Sequence, residues 1–160
     1  MDLLGDQSVL DSNALKEKTA LICGASRGIG AATARMMAKA GANVIISSRS
    51  EEQLKSLLEE LHTLGNGQHR TLVMDLEETD SIEQRLQPIL DDGPIHILVN
   101  NAGGPPGGPL LNATVDELAQ PFTRHLHAAH TLVKLLTPGM IRANYGRIIQ
   151  IISTSVREPI

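Results

Sequence analysis

The sequence predicts an α/β protein: a doubly wound parallel sheet of about five strands with helices on both faces, a three-layer α/β/α arrangement. Three observations predict it. Short, β-branched apolar runs alternate with longer stretches whose apolar residues recur every three to four positions. A glycine turn, Gly24-x-x-x-Gly28-x-Gly30, separates the first apolar run from the first helical stretch. Polar residues gather where the predicted strands end: Ser26/Arg27, Ser48/Arg49, Asp75, Asn100/Asn101 and Ser153. Doubly wound sheets bind ligands at the carboxyl ends of their strands, so this placement points to a site.

The elements follow in order. Residues 1–17 are expected to be a polar leader, and 18–160 a single α/β domain. Thr19–Cys23 is the first predicted strand. Ile29–Ala40 is the first helix, with a stripe of Ile29, Ala32, Met36, Met37 and Ala40, closed by Gly41. Asn43–Ser47 is the second strand, covered on both faces. Ser50 and Gln53 form a capping box for a helix to about Leu64, whose Leu54, Leu57, Leu58 and Leu61 share one face. Thr71–Met74 is the third strand, with Asp75 at its end. A helix over Asp80–Leu90, opened by Asp80, precedes the turn Asp92-Gly93-Pro94 and the fourth strand, Ile95–Val99. Gly103–Pro109 can only be loop. Thr114 and Glu117 form a second capping box, opening one long helix to Leu136 or Met140, with Pro121 near its start. Arg147–Ile152 is the fifth strand.

Bulk properties narrow the function. One hundred and sixty residues suit one domain, and 41% hydrophobic residues suffice for an aliphatic core. A net charge of −4 gives no basic footprint for nucleic acid, and Phe122 and Tyr145 alone offer no stacking platform. No run could span a membrane and no signal-peptide core is present, so a cytoplasmic protein is expected. The single cysteine, Cys23, is expected to be a buried thiol.

The glycine turn suggests chemistry. Helix N-termini carry unpaired N–H groups and partial positive charge, which attract phosphate. Glycine lets a pyrophosphate approach the backbone and supplies φ values other residues avoid. Taken alone, such a turn also joins strand to helix with no ligand at all.

With the ordered motifs Asp75-Leu76, Asn100-Asn101-Ala102-Gly103 and the strand-five Ser153, the chain from Lys18 to Ile160 resembles the short-chain dehydrogenase/reductase family. The resemblance implies a Rossmann-type fold. It implies that Gly24, Ser26, Arg27, Gly28, Ile29 and Gly30 hold pyrophosphate and adenosine ribose. By the same resemblance Asp75 and Leu76 meet the adenine, Asn100, Ala102 and Gly103 line the nicotinamide-side ribose, and Ser153 orients a carbonyl or alcohol substrate. NAD-preferring sites end the second strand with an acidic residue; this chain has Ser48-Arg49 there, and Arg27 in the turn. A 2′-phosphate carries roughly −1.5 to −2 charge and pairs with guanidinium forks, so NADP(H) is the predicted cofactor. The alternative is that both arginines are solvated loop charges.

Two departures bear on the chemistry. The family's Tyr-x-x-x-Lys proton donor is not found; Tyr145 precedes strand five and is followed at the fourth position by Ile149. His125 stands where the family carries an asparagine in the long helix, and is a candidate catalytic residue. His125, His127 and His130 lack a spaced acidic partner, and no metal site is expected. Cys23 replaces a common threonine at the head of the turn. The chain is expected to be the cofactor-binding part of a larger, homo-oligomeric enzyme (a dimer or tetramer), with strand five as a sheet edge and Leu126, Leu132, Val133 and Leu136 facing water or a partner subunit. A non-catalytic NADP(H)-binding module is the alternative, and an interaction protein without nucleotide comes third.

Overall fold

The computed structural model describes residues 11–104, 108 and 110–153. Five strands form one all-parallel sheet: β1 (Thr19–Ile22), β2 (Asn43–Ser48), β3 (Arg70–Val73), β4 (Ile97–Asn100) and β5 (Arg147–Gln150). Their spatial order is β3-β2-β1-β4-β5. The chain winds one way from β1 to β3, then crosses back to β4, so the switch point lies between β1 and β4.

Strand alternation builds two cores. Ala20, Ile22, Val44, Ile46, Ile97 and Val99 face α1 (Gly28–Lys39) and α2 (Glu51–Leu64). Leu21, Cys23, Ile45 and Leu98 face the other way, against α3 (Ile82–Asp92) and the long helix that follows β4. Both faces of the central strands are dry, which is why their sequences read as unbroken apolar runs.

The long helix differs from the single α-helix expected. It runs as α4 (Val115–Phe122), a π-helical turn at Thr123–His127, and α5 (Ala128–Arg142). Pro121 sits in the last turn of α4 and has no N–H to give the α-helical ladder, and the wider turn follows directly. Leu132 and Leu136 do not face water: α5 lies on the sheet beside α3 and buries both completely. Of the four residues named as outward-facing, Leu126 alone is largely exposed, and Val133 is half-buried. In β5, Ile148 and Ile149 remain about 40% exposed, and β4 is the strand's one partner among the described residues.

Helix ends follow local chemistry. Thr114 and Glu117 form the complete predicted capping box. Ser50 accepts from the Gln53 amide, but its own amide donates to Ser48 Oγ at 3.2 Å, so the Gln53 side chain is released to the cleft described below. Asp80 does not open α3. It falls in a 3-10 turn, Thr79–Ser81, in which the Ser81 hydroxyl donates to the Glu78 carbonyl, and α3 starts at Ile82. Residues 11–17 turn back onto the end of α1, where the Leu15 amide donates to Ala40 O at 2.8 Å.

At the amino end of the sheet two histidines replace missing ladder partners. His96 Nδ1 accepts from the Thr19 amide at 3.1 Å, and His69 Nδ1 from the Val44 amide at 3.3 Å. Burial holds both imidazoles below their ordinary pKa, with His62 adding to the shift at His69 and Lys18 at His96. Tyr145 lies at the same end, its ring covered by the Lys18 ammonium at 4.6 Å and the Arg147 guanidinium at 4.8 Å.

Candidate functional site

A cleft of about 420 Å³ opens at the carboxyl ends of β1, β2, β3 and β4. The glycine turn forms its floor. Gly24 and Gly28 have φ of +58° and +56°, the left-handed region that glycine enters without strain. A Cβ on Gly24 would stand 2.5 Å from Asn101 O, and one on Gly30 would stand 2.3 Å from Gly24 O. Gly28 is different: a Cβ there meets nothing within 4 Å and would project into open space. Two glycines therefore let the turn close on itself, and the third leaves the rim bare.

The start of α1 is equipped for an anion. Its N-cap, Arg27, is extended and makes no side-chain cap, and no acidic residue occupies the first turn. Among the described residues, the helix's leading amides are thus left without a side-chain acceptor. The helices α2 and α4 instead carry Glu51/Glu52 and Asp116/Glu117 in their first turns. A bare rim over uncapped amides fits a phosphate group.

Most of the predicted residues converge here. Gly24, Ser26, Arg27, Gly28, Ile29, Ser48, Arg49, Asp75, Leu76, Ala102 and Gly103 line the cleft, and Gly30 is buried in the turn beneath. Asn100 is the exception. It is buried, its Nδ2 has no hydrogen-bond partner among the described residues, and it lines a separate cavity of about 10 Å³ with His125 and Gln150. That space holds roughly one water. Asn100 shares the face of Leu98, so its side chain is directed towards α5 instead of the cleft. Ser153 follows β5 and is exposed; it does not line the cleft, and Thr154 and Ser155 lie outside the described residues.

Several contributors were not apparent from sequence. Asn101 donates through Nδ2 to Cys23 O and Gly24 O, both at 3.2 Å, and so ties the glycine turn to the end of β4. Ser47, Ser50, Gln53, Met74 and Arg124 complete the lining. Arg124, from the π-helical turn, donates through Nε to Glu77 Oε1 at 2.5 Å, through Nη2 to Gln120 Oε1 at 3.0 Å and through Nη1 to Gly103 O at 3.4 Å. His125 Nε2 lies 3.3 Å from the same Gly103 carbonyl. Arg49 is not simply solvated: its Nη1 stands 3.8 Å from Asp75 Oδ2 and 3.9 Å from Glu77 Oε1. Arg27 makes no ion pair among the described residues.

Cys23 is buried beneath the turn, and desolvation pushes its thiol up to about 12. Among the described residues, no group of three or more His, Cys, Asp or Glu side chains could hold a metal ion, and no helix is long and apolar enough to cross a membrane.

A switch-point cleft with a glycine floor and an uncapped helix start defines an α/β protein of the Rossmann type. Comparison with known proteins narrows the class. The family described as short chain dehydrogenase matches residues 18–160. The chain is 35% identical over 151 residues to an uncharacterised oxidoreductase of Mycobacterium tuberculosis, which covers 93% of this chain and 57% of that one. It is 36% identical over 138 residues to a 3-oxoacyl-[acyl-carrier-protein] reductase of Vibrio harveyi, covering 86% and 55%. Among solved structures, a metagenomic short-chain oxidoreductase in complex with NADP superposes with a TM-score of 0.84 at 35% identity, over 92% of this chain and 67% of that one. The L-sorbose reductase of Gluconobacter frateurii, complexed with NADPH and L-sorbose, gives 0.87 at 26% identity, over 94% and 57%. The chain belongs to the short-chain dehydrogenase/reductase family. It spans about half the length of the curated relatives it matches.

Proposed function

We propose that the protein is an NADP(H)-dependent oxidoreductase that transfers hydride between nicotinamide and a carbonyl or secondary alcohol, with this chain holding the cofactor. The observation that carries this reading is the pairing of a bare glycine rim with Arg27 and Arg49, where β2 ends in Ser48-Arg49 and no acidic side chain. Neighbours solved with NADP or NADPH support it.

In this proposal the amides at the start of α1, with Ser26, Gly28 and Ile29, bind the pyrophosphate, while Gly24 and Gly30 keep the turn closed. Arg27, Ser48 and Arg49 take the 2′-phosphate. Asp75 and Leu76 flank the adenine, and Ala102 and Gly103 the nicotinamide-side ribose. Asn100 acts from behind the cleft, through the small cavity it shares with His125. Ser153 orients the substrate oxygen. When bound, the cofactor supplies the hydride; the protein supplies position and electrostatics. His125, beside Gly103 O, occupies the family's asparagine position, and that substitution favours a second reading: an NADP(H)-binding module without chemistry.

The test is nucleotide binding together with turnover. NADPH is expected to bind more tightly than NADH, and Arg49→Asp to abolish that preference. An unchanged NADPH/NADH ratio in Arg49→Asp refutes the cofactor assignment. NADPH binding with no turnover on a panel of 3-oxoacyl thioesters, ketoses and simple ketones selects the second reading.

A further inference from the structure

Beside the cleft, behind Arg49 and Arg124, stands a carboxylate for which the cofactor assignment has no use. Glu77, just past β3, stands between two arginines that come from opposite sides. Its contact with Arg124 is a short hydrogen bond of 2.5 Å, and the Arg124 side chain is only 18% exposed. Arg124 is itself held by Gln120 and the Gly103 carbonyl, and the Glu77 amide is fixed by Asp75 Oδ1 at 2.9 Å. The Glu77 carboxylate is thus tethered on the Arg124 side. Arg49 is the opposite case: it is 69% exposed and sits beyond hydrogen-bond reach of both carboxylates, at 3.8 and 3.9 Å. A loosely held guanidinium thus faces a tethered negative charge.

We propose that Glu77 is a specificity-determining residue, a fixed counter-charge to Arg49 that opposes the 2′-phosphate and so limits the preference for NADPH over NADH. The inference rests on the dinucleotide reading proposed for the cleft. A phosphate carrying close to two negative charges must draw Arg49 away from Asp75 and Glu77 and then remain near a carboxylate that Arg124 keeps in place. A 2′-hydroxyl meets neither cost. Glu77 thereby acts on one cofactor and not the other, without being one of the residues that line the cleft.

The experiment is a double-variant cycle read as the ratio of NADH to NADPH dissociation constants, at one ionic strength, for wild type, Glu77→Gln, Arg49→Gln and the double variant. Glu77→Gln preserves shape and removes the charge. Exposed ion pairs contribute modestly, so the ratio is expected to rise about two- to fivefold in Glu77→Gln. In the Arg49→Gln background the same substitution is expected to raise the ratio less, because the cost of freeing Arg49 is gone and only the repulsion between phosphate and carboxylate remains. An unchanged or lowered ratio in Glu77→Gln, or an equal rise without Arg49, overturns the inference while leaving the dinucleotide site standing. Failure of wild type to bind either nucleotide overturns both.

Discussion

Gly28 and Gly30 stand two residues apart, yet their replacement by alanine is expected to damage different things. At Gly30 the new Cβ would lie 2.3 Å from Gly24 O, a backbone atom that cannot rotate away, about 1 Å inside ordinary contact. Relieving it means prising the turn from the helix, at about 3 kcal/mol or more. At Gly28 there is open space, and the penalty is conformational: roughly 1–2 kcal/mol for alanine at positive φ, less about 0.5 kcal/mol from a stiffer unfolded chain. The net is about 1 kcal/mol. For a chain of this size each kcal/mol moves Tm by about 2–4 °C, so Gly30→Ala should lose roughly 6–12 °C and Gly28→Ala roughly 2–4 °C. Binding should show the larger effect at Gly28, because its methyl stands where a phosphate would meet the helix amides. NADPH affinity is expected to fall about tenfold or more, at least 1.4 kcal/mol. Thermal unfolding by circular dichroism and titration by NADPH fluorescence read the two quantities separately. If Gly30→Ala melts like wild type, or Gly28→Ala binds NADPH like wild type, the geometric argument is refuted.

Further outcomes follow from other contacts. Asn101→Ala loses two hydrogen bonds to the glycine turn and should cost about 1–2 kcal/mol in urea unfolding; Asn101→Asp, which sets a carboxylate against Cys23 O and Gly24 O, should cost more. His69 and His96 have folded pKa values below the unfolded value of about 6.5, so the unfolded state takes up protons first as pH falls. Stability should be full above that pH and decline as pH drops below it towards the folded values. His69→Asn, which retains an acceptor for the Val44 amide, should flatten the decline, and an unaltered profile would dismiss His69 as its source. Cys23 is buried, and desolvation pushes its thiol up to about 12, so at pH 8 it is held as the unreactive thiol. Its labelling by a thiol reagent should track unfolding, and rapid labelling of the folded protein would contradict the burial.

The sheet was legible because its strands are short and buried on both faces: runs such as Ala20–Ile22 and Val44–Ile46 have no other plausible fate. The glycine turn was legible because its constraint is local. Long-range features left no such trace. Glu77 and Arg124 meet across 47 residues of chain, and neither flanking sequence is unusual. Sequence motifs grouped Asn100 with the cleft, although strand alternation from Leu98 already directs its side chain to the α5 side. Asn101 stands in the same motif, but its two bonds to the glycine turn span 77 and 78 residues of chain and leave no local trace. The expectation for Leu132 and Leu136 treated a missing cover as exposure, whereas α5 takes its cover from α3 and the sheet. The π-helical turn escaped because helical periodicity over eight residues does not register one extra residue per turn.

Tyr145 gives the chain an unplanned optical property. It is the sole tyrosine and there is no tryptophan, so near-ultraviolet emission from the polypeptide, apart from the weak contribution of Phe122, originates at a single ring. That ring lies between Lys18 and Arg147, against His96, at the opposite end of the strands from the cleft. Its intrinsic luminescence therefore reports the integrity of the sheet's far edge, while the dihydronicotinamide chromophore can be watched free of overlapping indole signal. One cuvette can follow folding and ligation in two colours.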